Sequence, residues 1–186
     1  MLQYAPTSSS RGGGDARPAD LTVAGERAVR VPFGAAEVPG SLIWPEHPSG
    51  LVLVTQGGGT VPGPVELGVA RELRRAGLAT LHFNVQPPAR TGPPADLEPE
   101  RLGARLLAAT EWALVQPEVD GLMPGYLATG VGTAAAMHAA ASSDGLVRAV
   151  VSLGGRPDLA GDALATVQVP TLLLAGSRDE EALEPS

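Results

Sequence analysis

The residues with the clearest chemical potential lie in residues 125–137, which read GYLATGVGTAAAM. The stretch begins with an apolar run typical of a buried strand and ends with an alanine-rich run typical of a tightly packed helix. A strand that turns sharply into a helix presents backbone N–H groups, and the positive end of the helix dipole, above the turn. Many enzymes place a nucleophilic serine there, in the pattern G-x-S-x-G. The central position is Gly130, so the stretch predicts the turn without its attacking side chain.

Three hydroxyl side chains near the turn could in principle replace that serine. Thr129, Thr133 and Ser152 are interpreted as structural residues, because such hydroxyls commonly bond to nearby backbone groups or start helices. Glycine accepts a positive φ at no steric cost, whereas serine is strained in that conformation. A scaffold can therefore lose its nucleophile at Gly130 and still keep its fold.

The same turn also permits a nucleotide-binding interpretation. Residues 130–135 fit G-x-G-x-x-A between a strand and a helix, which is the dinucleotide fingerprint. That fingerprint expects an acidic residue at the end of the next strand, but residues 150–153 read VVSL. It also normally follows the first strand of a domain, and here several predicted strands precede it. Nucleotide binding is therefore kept as a second alternative.

The residue types that usually hold metals or disulfides are sparse. The chain contains no cysteine, which excludes disulfides, thiol catalysis and cysteine-ligated zinc. Its histidines, His47, His82 and His138, and its carboxylates show neither i, i+4 nor HExxH spacing. Asp158 and Asp162 flank a short turn and are interpreted as solvated or capping residues. The sequence predicts no metal site and no cofactor.

Composition limits the classes of partner and the cell compartment. The formal net charge of −7 argues against nucleic acid or an anionic membrane, since both attract a basic surface. No apolar run approaches the roughly 20 residues of a membrane span. The first ten residues lack the pattern of a signal peptide, so a cytoplasmic location is expected. Residues 1–20 are rich in Ser, Gly and Pro and predict a mobile tail, followed by a single domain over residues 21–186.

The elements that must position the turn follow from apolar periodicity. Strands are predicted over residues 21–31, 38–43, 51–55, 78–85, 147–153 and 171–175. Helices are predicted over residues 65–76, 97–116 and 133–142, with a short helical turn at 159–164. In the first helix, Leu67, Ala70, Leu73 and Ala76 are expected on the core side. Strands that alternate with helices predict a three-layer α/β domain with a mostly parallel sheet.

In such sheets, functional residues gather at the carboxyl ends of the strands. Chain order therefore predicts one rim of the sheet that carries Gln56, Gly57, Asn84, residues 129–131, Ser152 and Asp179.

From Leu51 to Asp179 the chain resembles the α/β-hydrolase fold, in particular its dienelactone-hydrolase-like branch. The resemblance is carried by the glycine loop after residues 51–55 and by a series of short motifs in the family's order. These motifs are AGLATLHFNV, LLAATEWALVQPE, GYLATGVGTAAA, VVSLGGRPDLAG and VPTLLLAGSRDE. The resemblance implies a serine that attacks an ester or lactone, a histidine that removes its proton, and an acid that orients the histidine.

The family's roles transfer unevenly to this sequence. The resemblance implies that Asp179 is at the triad-acid position and Gly130 at the nucleophile position. The backbone of Val131 and of Gln56–Gly57 matches the oxyanion donors. The family's histidine belongs beyond Ser186, so the domain is expected to be shortened after the triad-acid strand.

Two functions follow from this comparison with the family. The main prediction is a non-catalytic homologue that acts as a structural, binding or partner subunit and keeps a shallow pocket for a small carbonyl or anionic ligand. The alternative is an active esterase or dienelactone hydrolase on small esters or lactones, in which another residue, or a histidine from another chain, supplies the missing chemistry.

The last predicted strand, residues 171–175, would lie at an uncovered edge of a sheet shortened in this way. Exposed edges invite pairing with another chain. A homo-oligomer, or a partner chain that covers this edge, is therefore predicted.

Overall fold

The computed structural model describes residues 23–33, 36–56, 63–86 and 98–176. The predicted tail over residues 1–20 and the predicted site residues Gly57 and Asp179 lie outside these ranges. The strands are β1 (Gly25–Phe33), β2 (Ala36–Trp44), β3 (Gly50–Gln56), β4 (Leu78–Asn84), β5 (Pro124–Gly130), β6 (Val150–Gly155) and β7 (Thr171–Leu174). The helices are α1 (Pro64–Arg75), α2 (Pro99–Leu114) and α3 (Gly132–Ala141), with a 3₁₀ segment over Pro157–Thr166.

The strands form one seven-stranded sheet in the order β1-β2-β4-β3-β5-β6-β7. The pairs β1–β2 and β2–β4 are antiparallel. All the other neighbours are parallel, joined by the helical connections that parallel strands require. The predicted α/β class with a mostly parallel sheet is therefore confirmed.

The helices flank both faces of the sheet. Leu81 of β4 lies in the core cluster together with Leu102 and Leu106 of α2 and the alanines of α3. The neighbouring residue, Thr80, instead accepts a hydrogen bond from Arg74 of α1 at 3.3 Å. Because successive side chains of a strand point to opposite faces, α1 covers the face opposite to α2 and α3. The central strands β3 and β5 lie between these layers.

Two details of the predicted elements are wrong. Leu67 is 42% exposed and Ala76 is also exposed, so they do not face the core. The helix α1 contacts mainly β4, and Ala70 is its fully buried residue, so its core stripe is narrower than the periodicity predicts. The strand β6 also begins at Val150, three residues later than predicted.

No helix in the described ranges has both the length and the apolar character needed to cross a membrane.

Candidate functional site

The predicted turn joins the end of β5 to the start of α3. Gly130 is the last residue of β5 and has a φ of 54°. Val131 follows at the N-cap of α3 with a φ of −65°, and the helix begins at Gly132. Residues that carry a Cβ rarely adopt this positive φ, whereas glycine adopts it without strain. The strand, turn and helix are where the sequence places them.

The small residues of α3 allow it to pack closely below the turn. Eight of its ten residues are buried, and most of them are alanines. Gly103 of α2 lies against α3, where a Cβ at position 103 would overlap the Cβ of His138. The N-cap Val131 makes no side-chain hydrogen bond to the helix. The first N–H groups of α3 are therefore not capped by that side chain, and the positive end of the helix dipole lies at the turn.

Two buried hydroxyls lie beneath the turn. The Oγ1 of Thr133 and the Oγ of Ser152 are hydrogen-bonded at 2.8 Å, and both residues are buried. A Cβ at Gly155 would overlap Thr133 Oγ1, so the chain must also have glycine there. The prediction that Ser152 lies on the rim is wrong. The strand β6 continues to Gly155, and Ser152 is buried between β6 and α3, where it contacts Thr133.

Arg156 lies beside the turn, and the sequence reasoning did not find it. Its backbone N–H donates to the carbonyl of Gly130 at 3.1 Å. Its guanidinium donates to both carboxylate oxygens of Asp158, at 2.8 and 2.7 Å. These hydrogen bonds hold the pKa of Asp158 below its usual value. Asp158 is thus an ion-pair partner and not merely solvated or capping. The sequence R-P-D, which places the arginine two residues before the aspartate, is the signal that could have predicted this ion pair.

The carboxyl ends of β3 and β5 are adjacent, because Thr55 pairs with Ala128. Gln56, the last residue of β3, therefore ends at the same edge of the sheet as Gly130 and Val131. The oxyanion roles of Gln56, Gly57 and Val131 and the acid role of Asp179 stay predictions. Thr55, which the sequence analysis left out, is fully buried here, and its Oγ1 has no hydrogen-bond partner.

The three histidines occupy separate parts of the fold. His47 is exposed between β2 and β3, and His138 is half-buried in α3. His82 is buried in β4, where burial and the nearby charge of Arg74 lower its pKa to about 4. It is therefore neutral at pH 7. In the described ranges, no histidine nitrogen is hydrogen-bonded to a serine or threonine hydroxyl.

Metal binding has no candidate among the described residues, where no three His, Cys, Asp or Glu side chains lie close enough to hold an ion.

Solved structures with the same arrangement are dienelactone hydrolases and their relatives. The dienelactone hydrolase from Anabaena variabilis ATCC 29413 is 36% identical, with a TM-score of 0.73 over 84% of this chain and 74% of that one. A dienelactone-hydrolase-like promiscuous phosphotriesterase from metagenomic libraries shares the fold at a TM-score of 0.61, with 23% identity, 83% of this chain and 69% of that one covered.

A curated relative adds a different name. A Mycobacterium tuberculosis protein, provisionally named a phosphoribosyl transferase in two strains, is 42% identical over 161 residues. The match covers 86% of this chain but 36% of that protein, so the chain spans about a third of the length of the curated relatives it matches. No protein-family model matches the chain.

The identity to the Anabaena enzyme, the share of that enzyme covered, and the strand order around the β5–α3 turn agree with one another. The chain belongs to the dienelactone-hydrolase-like branch of the α/β-hydrolase superfamily.

Proposed function

We propose that this chain is a non-catalytic member of its superfamily that acts as a structural or binding subunit. The observation that carries the proposal is Gly130, at the turn between β5 and α3 with a φ of 54°. In the hydrolase mechanism the side chain at this turn attacks the carbonyl carbon. Glycine has no side chain, so no covalent acyl intermediate can form at this position.

The neighbouring hydroxyls do not compensate for that loss. Thr133 and Ser152 are buried and bonded to each other, which keeps both oxygens away from a ligand above the turn. Thr129 follows Ala128, which is part of the core cluster on the side of α3. Because side chains alternate along a strand, Thr129 lies on the opposite face of β5 from α3.

The uncapped start of α3 supports a residual binding role. Backbone N–H groups at a helix N-terminus favour negative charge, and glycine at position 130 places no side chain of its own beside them. We therefore include a small carbonyl or anionic ligand in the proposal. The transition from catalysis to binding would need no change in the sheet, only the loss of one side chain.

The longer M. tuberculosis relative supports a role as a companion unit. The match covers 36% of that protein, so most of its length lies in regions that this chain does not match. In that protein a hydrolase-type module is therefore joined to a larger region in one polypeptide. We take from this a companion role for the module, and do not assign the transferase activity in the relative's name to this chain.

The test is turnover of an activated ester such as p-nitrophenyl acetate. The folded chain is expected to hydrolyse it no faster than the same chain after heat unfolding, while circular dichroism confirms that the sample was folded. Saturable turnover above that blank would contradict the proposal and favour the active hydrolase. The variant Asp179→Asn would then show whether the family's acid position is in use, because a working triad would lose most of its rate.

A further inference from the structure

The turn that follows α3 contains an aspartate in an unusual backbone conformation. Asp144 has a φ of 48° and is the one residue other than glycine with a positive φ in the described ranges. Gly145 follows with a φ of 80°, and the N–H of Leu146 donates to the carbonyl of Ser143 at 2.9 Å. Two successive residues with positive φ, closed by such a hydrogen bond, are characteristic of a type I′ turn, for which Asp-Gly is a favoured sequence.

An Asp-Gly pair also has the chemistry to change the backbone itself. The amide nitrogen of the glycine can attack the side-chain Cγ of the aspartate, because glycine has no Cβ to hinder the approach. A carbon–nitrogen bond forms, the amide proton and the carboxyl hydroxyl leave as water, and a five-membered succinimide ring results. Water then opens the ring at either carbonyl. One product is the original aspartate, and the other is isoaspartate, in which the chain continues through the side-chain carboxyl group.

The surroundings of the turn after α3 leave both reacting groups accessible. Asp144 and Gly145 are exposed, and a Cβ placed on Gly145 would meet no atom within 4 Å beyond its neighbours in the chain. With the described residues, the Asp144 carboxylate forms no ion pair or hydrogen bond, and the N–H of Gly145 donates to no acceptor. No such contact of the two groups has to break before they react.

A second Asp-Gly pair provides a comparison inside the same chain. Asp120 and Gly121 lie between α2 and β5, in a turn where the N–H of Leu122 donates to the carbonyl of Val119 at 3.2 Å. Both residues of the pair are exposed, and a Cβ on Gly121 would also meet nothing within 4 Å. Gly121 has a φ of 73°, but the φ of Asp120 is not positive. The clearest difference between the two pairs is therefore the backbone conformation of the aspartate.

We propose that Asp144 and Gly145 are a site of spontaneous isoaspartate formation in the folded chain, favoured there over Asp120 and Gly121. A residue other than glycine is strained at positive φ, and closure of the ring takes the aspartate out of the turn, so this strain is released as the reaction proceeds. Each turn loses one backbone hydrogen bond in the process, so that cost does not distinguish the pairs. Strain of this kind corresponds to a rate factor of about five or more.

The modification would loosen the connection between α3 and β6. The Oγ of Ser143 donates to the carbonyl of Ala140 at 2.9 Å and accepts from the N–H of Val147 at 3.5 Å, which ties the end of the helix to the entry of the strand. Isoaspartate at position 144 adds one carbon to the backbone inside this connection. The hydrogen bonds of Leu146 and Val147 to Ser143 cannot both keep their geometry, so stability is expected to fall. This proposal does not depend on whether the turn at Gly130 is catalytic.

The first test compares the two Asp-Gly pairs by peptide mapping. The folded chain is kept for weeks at neutral pH and physiological temperature, and electron-transfer fragmentation measures isoaspartate at each position. The same chain unfolded in guanidinium chloride is the control, because neither pair then has a fixed backbone. The ratio of isoaspartate at position 144 to that at position 120 is expected to be about five times higher in the folded chain. An equal ratio in the two states, or no isoaspartate at 144 in the folded chain, would overturn the proposal.

The second test uses variants that keep the turn. Asp144→Gly removes the reacting carboxyl group, and Gly-Gly also suits a type I′ turn. After the same incubation, Asp144→Gly should keep its Tm, whereas part of the unmodified chain should unfold at a lower temperature. Asp144→Asn should form the same ring with loss of ammonia and accumulate isoaspartate faster than the unmodified chain. An Asp144→Gly chain that loses as much stability on incubation as the unmodified one, or an Asp144→Asn chain without isoaspartate at 144, would contradict the proposal.

Discussion

Two parallel strands of this sheet, β5 and β7, differ sharply although β6 alone separates them. Tyr126 and Leu127 of β5 are 2% and 3% exposed, whereas the leucines of β7 are about half exposed. The helix α3 contacts β5 and β6, and the 3₁₀ segment packs on α3. Burial is therefore concentrated around the strand that carries the turn at Gly130. Among the described residues, the sheet is therefore close-packed around the turn and solvent-exposed at β7.

The largest expected effect compares one leucine from each strand. Leu127→Ala should lower the free energy of unfolding by about 2–5 kcal/mol, since it leaves a cavity between packed layers. Leu173→Ala should change it by less than about 0.5 kcal/mol, because that side chain is half exposed. Urea denaturation of the two variants and of the unmodified chain measures both. Equal losses would mean that β7 is as well packed as β5.

The second effect concerns the support beneath the turn. Gly155→Ala should cost about 3 kcal/mol, because its Cβ would overlap the hydroxyl of Thr133 in a close-packed layer. The control is Gly68→Ala in α1, where a Cβ meets nothing within 4 Å. That change should stabilise the protein by up to about 1 kcal/mol through helix propensity. Thermal unfolding of both variants tests the prediction. An unchanged Tm for Gly155→Ala would show that Thr133 and Ser152 can move to accommodate the added Cβ.

The third effect depends on pH and on the buried His82. Its pKa in the folded chain is about 4, below the ordinary value of 6.5, mainly because burial disfavours the charged form. The unfolded chain therefore binds more protons between these values, and stability should fall by about 2–3 kcal/mol as the pH drops from 6.5 to 4. His82→Gln should flatten that part of the stability profile, whereas His47→Gln, at an exposed residue, should not. Identical profiles for all three proteins would contradict the assignment.

The smallest expected effect concerns an ion pair at the opposite edge of the sheet, formed by a residue of β1. Arg27 of β1 donates to both carboxylate oxygens of Glu118 at 2.8 Å. This hydrogen bonding lowers the pKa of Glu118, so the pair stabilises the fold above the usual glutamate range and stops doing so as the pH falls through the lowered pKa. Glu118→Gln should cost about 0.5–1 kcal/mol at pH 7, since Arg27 is partly exposed. Urea denaturation at pH 7 and again in strong acid should show this difference disappear in acid.

Much of the fold could be predicted because apolar runs and glycines mark its elements directly. The run of residues 51–55 predicted the central β3, and the stretch around Gly130 predicted the turn between β5 and α3. Gly77 predicted the end of α1, where it has a φ of 85°. These signals are local, since each depends on residues that are neighbours in the chain.

Other features depend on contacts between distant elements, and periodicity cannot supply them. Leu67 matches the core side of α1, but α1 covers too little of the sheet to bury it. The sequence analysis placed Ser152 on the rim because it ended the strand too early. The contact of Ser152 with Thr133 depends on how β6 and α3 pack together, which periodicity does not reveal. Arg156 reaches Gly130 through a backbone hydrogen bond between neighbouring strands, which no spacing reveals. Of the candidate site, the turn was predictable, while its supports were not.

The most direct test of the central claim, that no side chain at the turn attacks a carbonyl, is the intact mass of the folded chain after incubation with excess p-nitrophenyl acetate. The chain contains neither lysine nor cysteine, so the sites left for unspecific acylation are its three histidines, its two tyrosines and the N-terminal amine, which peptide mapping separates from serine and threonine. We predict no acyl adduct on any serine or threonine. A stoichiometric adduct that peptide mapping assigns to a hydroxyl beside Gly130 would contradict the account.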